Sequence, residues 1–258
     1  MSFALSGVQA ASFAAAAFCT LALPVALLIA LGALKKIRLA PLALGFASFF
    51  VSQMVLRIPL LQLLNAAGAL NAIAANTVLY AVVVGGLSAG LFEETARLGG
   101  AAILKNYRTW KDMVSFGLGH GLCEVMLVMG MAYLNNLLLA AALTDPAGPL
   151  GLLLTGLDSA ALQQLTAQLA AIGPGLAALA LLERVSAVLF HLFATSLVFT
   201  AVIRRQPGWY LAAIAAHTLF NAVAVLLSAS LVATELALLA LGLCGGGYVL
   251  AARRKWPA

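Results

Sequence analysis

Five side chains of this 258-residue sequence have the types and the spacing that hydrolysis of an amide bond requires. They are two adjacent glutamates, two histidines from different segments and an amide: Glu93, Glu94, His120, His217 and Asn221. A buried carboxylate can take a proton from water near neutral pH. An imidazole or an amide can stabilise the oxyanion that forms on a peptide carbonyl. These residues predict hydrolysis with one glutamate as the base.

The candidate residues have the spacing of a helix. Residues four apart lie on the same face of a helix. Three pairs share this spacing: His217 with Asn221, His120 with Glu124, and Glu93 with Arg97. Adjacent residues point about 100° apart. We therefore expect one of Glu93 and Glu94 to face a cavity while the other pairs with Arg97.

The helices that position these residues are expected to cross a membrane. The chain is 64% hydrophobic and 9% charged, and its mean hydropathy is +1.08. A soluble domain has about 25% charged residues, so a soluble globular enzyme is excluded. A spanning helix needs about 20 apolar residues. Seven stretches qualify: 8–33, 39–62, 73–104, 113–141, 174–203, 208–230 and 232–252. The predicted fold is an all-α bundle of about seven transmembrane helices.

The basic residues give this bundle an orientation. Eleven of the fourteen lie in four places: after the first, third and fifth stretches, and in the C-terminal tail. Basic loops mark the cytoplasmic side, which predicts an outer N-terminus and a cytoplasmic C-terminus. The net charge of +6 is then a topology signal, with the lipid bilayer as partner and no nucleic acid. We expect an integral protein of a bacterial cytoplasmic membrane.

A single transmembrane helical domain is expected across residues 1–258. Its longest outer connection, about 142–173, contains two Pro-containing turns and then a polar-faced stretch from Ser159 to Ala171. We interpret this stretch as an interfacial amphipathic helix. A plain linker with a half-buried helix is the alternative.

Ionisable residues within the predicted spans are the strongest functional signal, since each charge at mid-membrane costs at least about 2.5–3.5 kcal/mol. Counting about 1.5 Å per residue from the inner ends, four helices place polar groups in one inner layer. That layer holds Glu94, His120, Glu124, His191, His217 and Asn221. Arg57, Glu183 and Arg184 lie nearer the outer side. We expect an inner reactive cluster and an outer network of structural ion pairs.

The motif order resembles a known superfamily. Glu93-Glu94 with Arg97, Phe116-x-x-x-His120 and His217-x-x-x-Asn221 resemble the motifs of the CAAX-protease and bacteriocin-processing (CPBP) glutamic intramembrane proteases. The wider context is similar to the YhfC family of membrane peptidases. It consists of Phe50–Gln53 with Arg57-Ile-Pro59, the Gly-His-Gly-x-x-Glu string that ends at Glu124, and Glu183-Arg184 with His191.

This resemblance implies an intramembrane endopeptidase that acts on a membrane-embedded or lipidated peptide. Glu93 or Glu94 would activate water, while His120, His217 and Asn221 would bind the water and the oxyanion. Arg97, Glu124 and His191 would support them. No cofactor is expected in this mechanism. The arginine lies one residue closer to the glutamate pair than the superfamily pattern places it.

Other chemistries use the same residue types. Zinc held by His120, His191 and His217 would give a metalloprotease, although His-Glu-x-x-His is absent. Gly86-Leu-Ser88-Ala-Gly90 matches a serine-hydrolase motif, but Ser88 and His217 lie at different predicted depths, which favours a packing role. An aspartyl protease is excluded because each aspartate lies in a loop or at a span end. A transporter or a scaffold that uses the same polar cluster is the non-enzymatic alternative.

Overall fold

The computed structural model describes residues 6–256, and within them the chain is helical with no strand. Seven helices are long and apolar enough to cross a membrane. A shorter helix of 13 residues, Ser159–Ala171, lies before the fifth of these spanning helices. In chain order they are α1 Gly7–Ala33, α2 Leu39–Ala66, α3 Thr77–Ile103, α4 Trp110–Thr144, α5 Ser159–Ala171, α6 Pro174–Arg204, α7 Gly208–Leu226 and α8 Leu231–Lys255.

The all-α fold with seven spanning helices is confirmed, and the protein is an integral membrane protein. The third helix begins four residues later than predicted, at Thr77. Residues 73–76 belong to a separate short helix, Asn71–Ala74, and a turn, because Asn76 caps the start of α3 by accepting a hydrogen bond from the Leu79 amide. The predicted helix from Ser159 to Ala171 is present, and the Asp158 side chain caps it. The orientation, the interfacial position of α5 and the single domain stay predictions.

The described residues group into two compact units. The first comprises residues up to Leu27 together with Val125–Leu181. In it, Phe13 and Tyr133 pack at 6.4 Å between ring centroids. The second unit comprises Leu28–Glu124 and the described residues from Leu182 onward, and it holds all of the candidate site residues. Phe116 and Phe199 form an edge-to-face pair at the centre of its core.

Close helix contacts at glycine hold the second unit together. A Cβ at Gly45 of α2 would lie 2.0 Å from the carbonyl oxygen of Phe116 on α4, and one at Gly119 would lie 2.1 Å from that of Leu42. A Cβ at Gly86 of α3 would lie 2.5 Å from the Thr218 carbonyl oxygen on α7. Small residues allow such close contact between membrane helices. These contacts place α2 beside α4, and α3 beside α7.

Two of the helices in the second unit widen locally into π-helical turns. They span Phe50–Arg57 in α2 and Tyr80–Leu87 in α3. A π turn shifts the hydrogen-bond ladder by one residue and is frequent at functional sites. Both turns carry groups that contact the candidate site: Gln53, Arg57 and the Val84 carbonyl.

Candidate active site

Glu93 lies at the centre of the polar cluster on α3. Its Oε2 is 2.9 Å from Nε2 of His120 on α4. Its Oε1 accepts a 2.7 Å hydrogen bond from the Gln53 amide on α2 and lies 3.6 Å from Nε2 of His217 on α7. Three neighbouring helices therefore meet at one carboxylate.

Glu94, the adjacent residue, faces another side of α3. Its Oε2 is 3.0 Å from Nε of Arg97, and its Oε1 is 2.7 Å from Nδ1 of His217. Glu94 and Arg97 are both fully buried. Because Glu94 occupies Nδ1, the Nε2 atom of His217 points toward Glu93. The expected division between the two glutamates is present, with Glu94 as the partner of Arg97.

His120 lies behind Glu93 and is fully buried. Its Nδ1 is 2.8 Å from the Ser48 hydroxyl, which also lies 2.7 Å from the Gly45 carbonyl oxygen. Its ring makes an edge contact with Phe49. When the Ser48 hydroxyl donates to the Gly45 carbonyl, it accepts from Nδ1, and Nε2 of His120 then faces Glu93 as an acceptor. Two acceptors at 2.9 Å need a proton or a cation between them.

Arg97 links the glutamate pair to α6. Its Nη1 donates to the His191 carbonyl oxygen at 3.0 Å and to the Thr195 hydroxyl at 2.5 Å. Its Nη2 lies 3.2 Å from Nδ1 of His191. A fully buried guanidinium needs both a counter-charge and acceptors for its other donors. Glu94 supplies the charge, and α6 supplies the acceptors.

The predicted inner and outer clusters are continuous, which corrects the expected separation. His191 Nε2 contacts Glu124, whose other oxygen accepts from Arg184 at 2.7 Å, and Arg184 also contacts Glu183. Residues at different depths along their helix axes can still meet, because glutamate and arginine side chains are long. Arg184 and Glu124 bridge the difference in depth.

Arg57 departs from its predicted ion-pair role. Its guanidinium donates to Gln53 Oε1, Ser88 Oγ and the Val84 carbonyl oxygen at 2.8–3.0 Å. These acceptors are neutral, and Arg57 thereby orients Gln53 toward Glu93. The Ser88 hydroxyl accepts a hydrogen bond from Arg57 and donates one to the Val84 carbonyl oxygen.

A small cavity opens on one side of Glu93. Its volume is about 60 Å³, which is room for a few water molecules. Glu93, His191, His217 and Asn221 line it, as do residues of the Glu124–Arg184 network. Glu94 and Arg97 are not among its lining residues, nor is His120. Asn221 is oriented there by a 3.3 Å hydrogen bond from its Nδ2 to the Gly85 carbonyl oxygen.

Comparison with known proteins gives the chain a family. The model of the family described as YhfC intramembrane metalloprotease matches residues 19–241. This chain belongs to the YhfC family. An uncharacterized membrane protein YhfC of Bacillus subtilis (strain 168) is 34% identical over 145 residues, which is 56% of each chain. The match therefore spans just over half the length of that relative. No solved structure matches the chain.

The donor set of this YhfC family member fits a divalent metal. One ligand atom from each of Glu93, His120 and His191 lies within 4.8 Å of the others, and all three residues are buried. Two imidazoles and a carboxylate are a known ligand set of catalytic zinc sites. Metal-binding histidines usually donate their second N–H to another group, and Ser48 is placed to accept it from His120. His217, the third histidine of the zinc alternative, is not part of this group, and its Nε2 lies 3.6 Å from Oε1 of Glu93.

Four buried polar residues were assigned no catalytic or supporting role from the sequence: Ser48, Gln53 and Thr195 in the site, and Glu235 outside the cavity lining. Gln53 lies four residues before Arg57, and Thr195 lies four residues after His191. This helical spacing is the sequence feature that could have indicated both residues. Glu235 of α8 is 94% buried, and among the described residues its Oε2 has no hydrogen-bond partner. An acid inside the last apolar stretch was the signal for it. Ser48 had none, because single serines are common in membrane helices.

Proposed function

We propose that this YhfC family member is an intramembrane endopeptidase in which Glu93 deprotonates the hydrolytic water. One observation carries the choice between the two glutamates. Glu93 lines the cavity, whereas both oxygens of Glu94 face buried partners, Arg97 and His217. Only a carboxylate that lines the cavity can take a proton from water there.

The residues of the cavity divide the reaction between them. With Nδ1–H donated to Glu94, Nε2 of His217 accepts a hydrogen bond from the water and holds it beside Glu93. The water oxygen attacks the peptide carbonyl carbon while Glu93 takes its proton. The second N–H of Asn221 Nδ2, which the Gly85 carbonyl leaves free, donates to the oxyanion. The carbon–nitrogen bond then breaks, and Glu93 returns the proton to the departing amine.

The buried residues around the cavity hold these groups in place. With the shared proton on Nε2 of His120, His120 and Gln53 donate to the two oxygens of an ionised Glu93, while Glu94 fixes the ring of His217. Such orientation has a large effect on rate, because a displacement of about 1 Å can cost about 10²-fold. We therefore assign His120, Gln53, Glu94 and Arg97 as positioning residues.

The proposed substrate is a peptide embedded in or anchored to the bilayer. The cavity is too small to hold a peptide, so helices must separate to admit one. Phe190 and Phe220 are stacked with ring centroids 4.3 Å apart, and they line both the cavity and an apolar pocket of about 330 Å³. We propose that the apolar residues beside the scissile bond enter from this pocket and displace the aromatic pair.

A metal-assisted mechanism is the second candidate, which the grouping of Glu93 with His120 and His191 and the family description favour. These three residues would hold the ion. When bound, the ion would lower the pKa of a coordinated water. His191 would then exchange its contact with Glu124 for the ion. The carboxylate of Glu93 is essential in both mechanisms, as a base in one and as a ligand in the other.

The activity is tested by mapping new peptide termini in the membrane proteins of cells that express the wild type or Glu93→Gln. We expect new termini within or beside apolar segments only with the wild type. Identical termini in the two samples would overturn the proposal. Proton-coupled flux through the purified protein in liposomes, without cleavage, would replace it with the transporter alternative.

A further inference from the structure

A second pocket, of about 340 Å³, lies at the end of the second unit where α6 ends, α7 begins and α8 ends. Its walls include Arg204 of α6, Trp209 of α7, and Tyr248, Lys255 and Trp256 at the end of the chain. We propose that this pocket binds the headgroup of an anionic phospholipid. The proposal does not depend on the peptidase activity.

Arg204 and Lys255 are the two cations that line the pocket. Among the described residues, no hydrogen bond or ion pair is recorded for the side chain of Arg204 or Lys255. Two other arginines of the unit are engaged, since Arg38 pairs with Asp112 and Arg108 donates to the Ala101 carbonyl oxygen. An arginine fork and a lysine ammonium are the side chains that bind phosphate oxygens. The pair therefore leaves its donors available to a ligand.

Three aromatic side chains, Trp209, Tyr248 and Trp256, form the walls of the pocket. Trp256 is fixed by a 2.9 Å hydrogen bond from Nε1 to the Arg108 carbonyl oxygen and by an edge contact with Trp110. Nε1 of Trp209 donates to Gln206 at 3.0 Å. Tyr248 packs edge-on against Phe193. Trp and Tyr are enriched where membrane helices reach the headgroup level, so this pocket has the composition of that layer.

These features together select a lipid over a free anion. Arg204 and Lys255 supply polar donors, whereas Ile203, Ala251 and the aromatic rings supply apolar walls for the glycerol and the first acyl carbons. Basic pockets between membrane helices bind anionic headgroups. A free phosphate would gain the charge contacts but nothing from the apolar walls. A phosphatidylglycerol-type lipid uses both.

The test compares two variants of the full chain that lose the same charge. Arg204→Gln with Lys255→Gln removes both cations of the pocket. Arg253→Gln with Arg254→Gln removes two neighbouring cations that do not line it. The purified proteins are titrated with phosphatidylglycerol and phosphatidylcholine, and lipid retention by native mass spectrometry and the shift in Tm are recorded. We expect phosphatidylglycerol to raise the Tm of the wild type and the control pair. The pocket pair should bind it about 30-fold more weakly.

Three results would overturn the proposal. An equal loss of phosphatidylglycerol binding in the pocket pair and the control pair would show that the lipid is attracted by surface charge in general. A lower Tm in the pocket pair with an unchanged phosphatidylglycerol response would show that these cations only offset the negative ends of α6 and α8. An equal stabilisation by inorganic phosphate alone would assign the pocket to a free anion.

Discussion

Glu93 and His120 are 27 residues apart on two helices, and Oε2 of the glutamate lies 2.9 Å from Nε2 of the histidine. The contact exists because α4 lies beside α2 closely enough for His120 to bond Ser48, while Gln53 of α2 bonds Glu93. The position of the Glu93 carboxylate therefore depends on how closely α2 packs against α4.

The packing itself is tested at glycine. Gly45→Ala would bring a Cβ to 2.0 Å from the Phe116 carbonyl oxygen, and a backbone atom cannot move away as a flexible side chain can. We expect a loss of about 1–3 kcal/mol in unfolding free energy and a loss of activity as His120 moves. Gly99→Ala is the matched control, since nothing lies within 4 Å of its Cβ. Thermal unfolding in one detergent measures both, and equal Tm values would contradict the close-contact interpretation.

The buried Glu94–Arg97 pair predicts a non-additive effect on stability. Glu94→Gln leaves the Arg97 guanidinium fully buried without its counter-charge, and Arg97→Gln leaves the carboxylate. Breaking a buried pair in this way costs about 3–5 kcal/mol. The double variant removes both charges. Its loss of unfolding free energy should therefore be smaller than the sum of the losses in the two single variants. A double-mutant cycle measures the coupling. Additive losses would show that the two charges do not stabilise each other.

A chelator separates the two mechanisms. With Glu93 as the base, activity should persist after dialysis against a strong chelator, and metal analysis should give less than one ion per chain. Loss of activity that zinc restores would support the metal-assisted candidate and reject the metal-free one. The same dialysis of Glu93→Gln is the control for metal bound elsewhere.

Much of the fold was predictable because a membrane restricts the choices. Apolar length alone locates seven helices, and the spacing of four residues places His217 and Asn221 on one helix face, where both line the cavity. The same spacing groups Glu93 with Arg97, whereas the guanidinium lies against Glu94. The depth of each residue places most site residues within one layer. These are local properties of the sequence, which need no knowledge of tertiary packing.

The rest depends on rotation and packing of the helices. Spacing indicates that one glutamate faces a cavity, but which one follows from the rotation of α3 against α7. The position of His120, which contacts Glu93 but does not line the cavity, also depends on how the helices pack. Arg57 was expected in an ion-pair network and instead bonds neutral groups, because the π-helical turn that carries it also carries Gln53. The predicted separation into two clusters is wrong because the long side chains of Glu124 and Arg184 connect residues at different depths.

The most direct test of the account is the comparison of Glu93→Gln with Glu94→Gln in proteoliposomes, using a substrate found by terminus mapping. We predict that Glu93→Gln lowers the cleavage rate by about 10²–10⁴-fold while its Tm equals or exceeds that of the wild type, because within residues 6–256 this buried carboxylate pairs with histidines and with no arginine or lysine. Glu94→Gln should lower the Tm and retain more activity than Glu93→Gln. Wild-type cleavage by a folded Glu93→Gln variant would contradict the account.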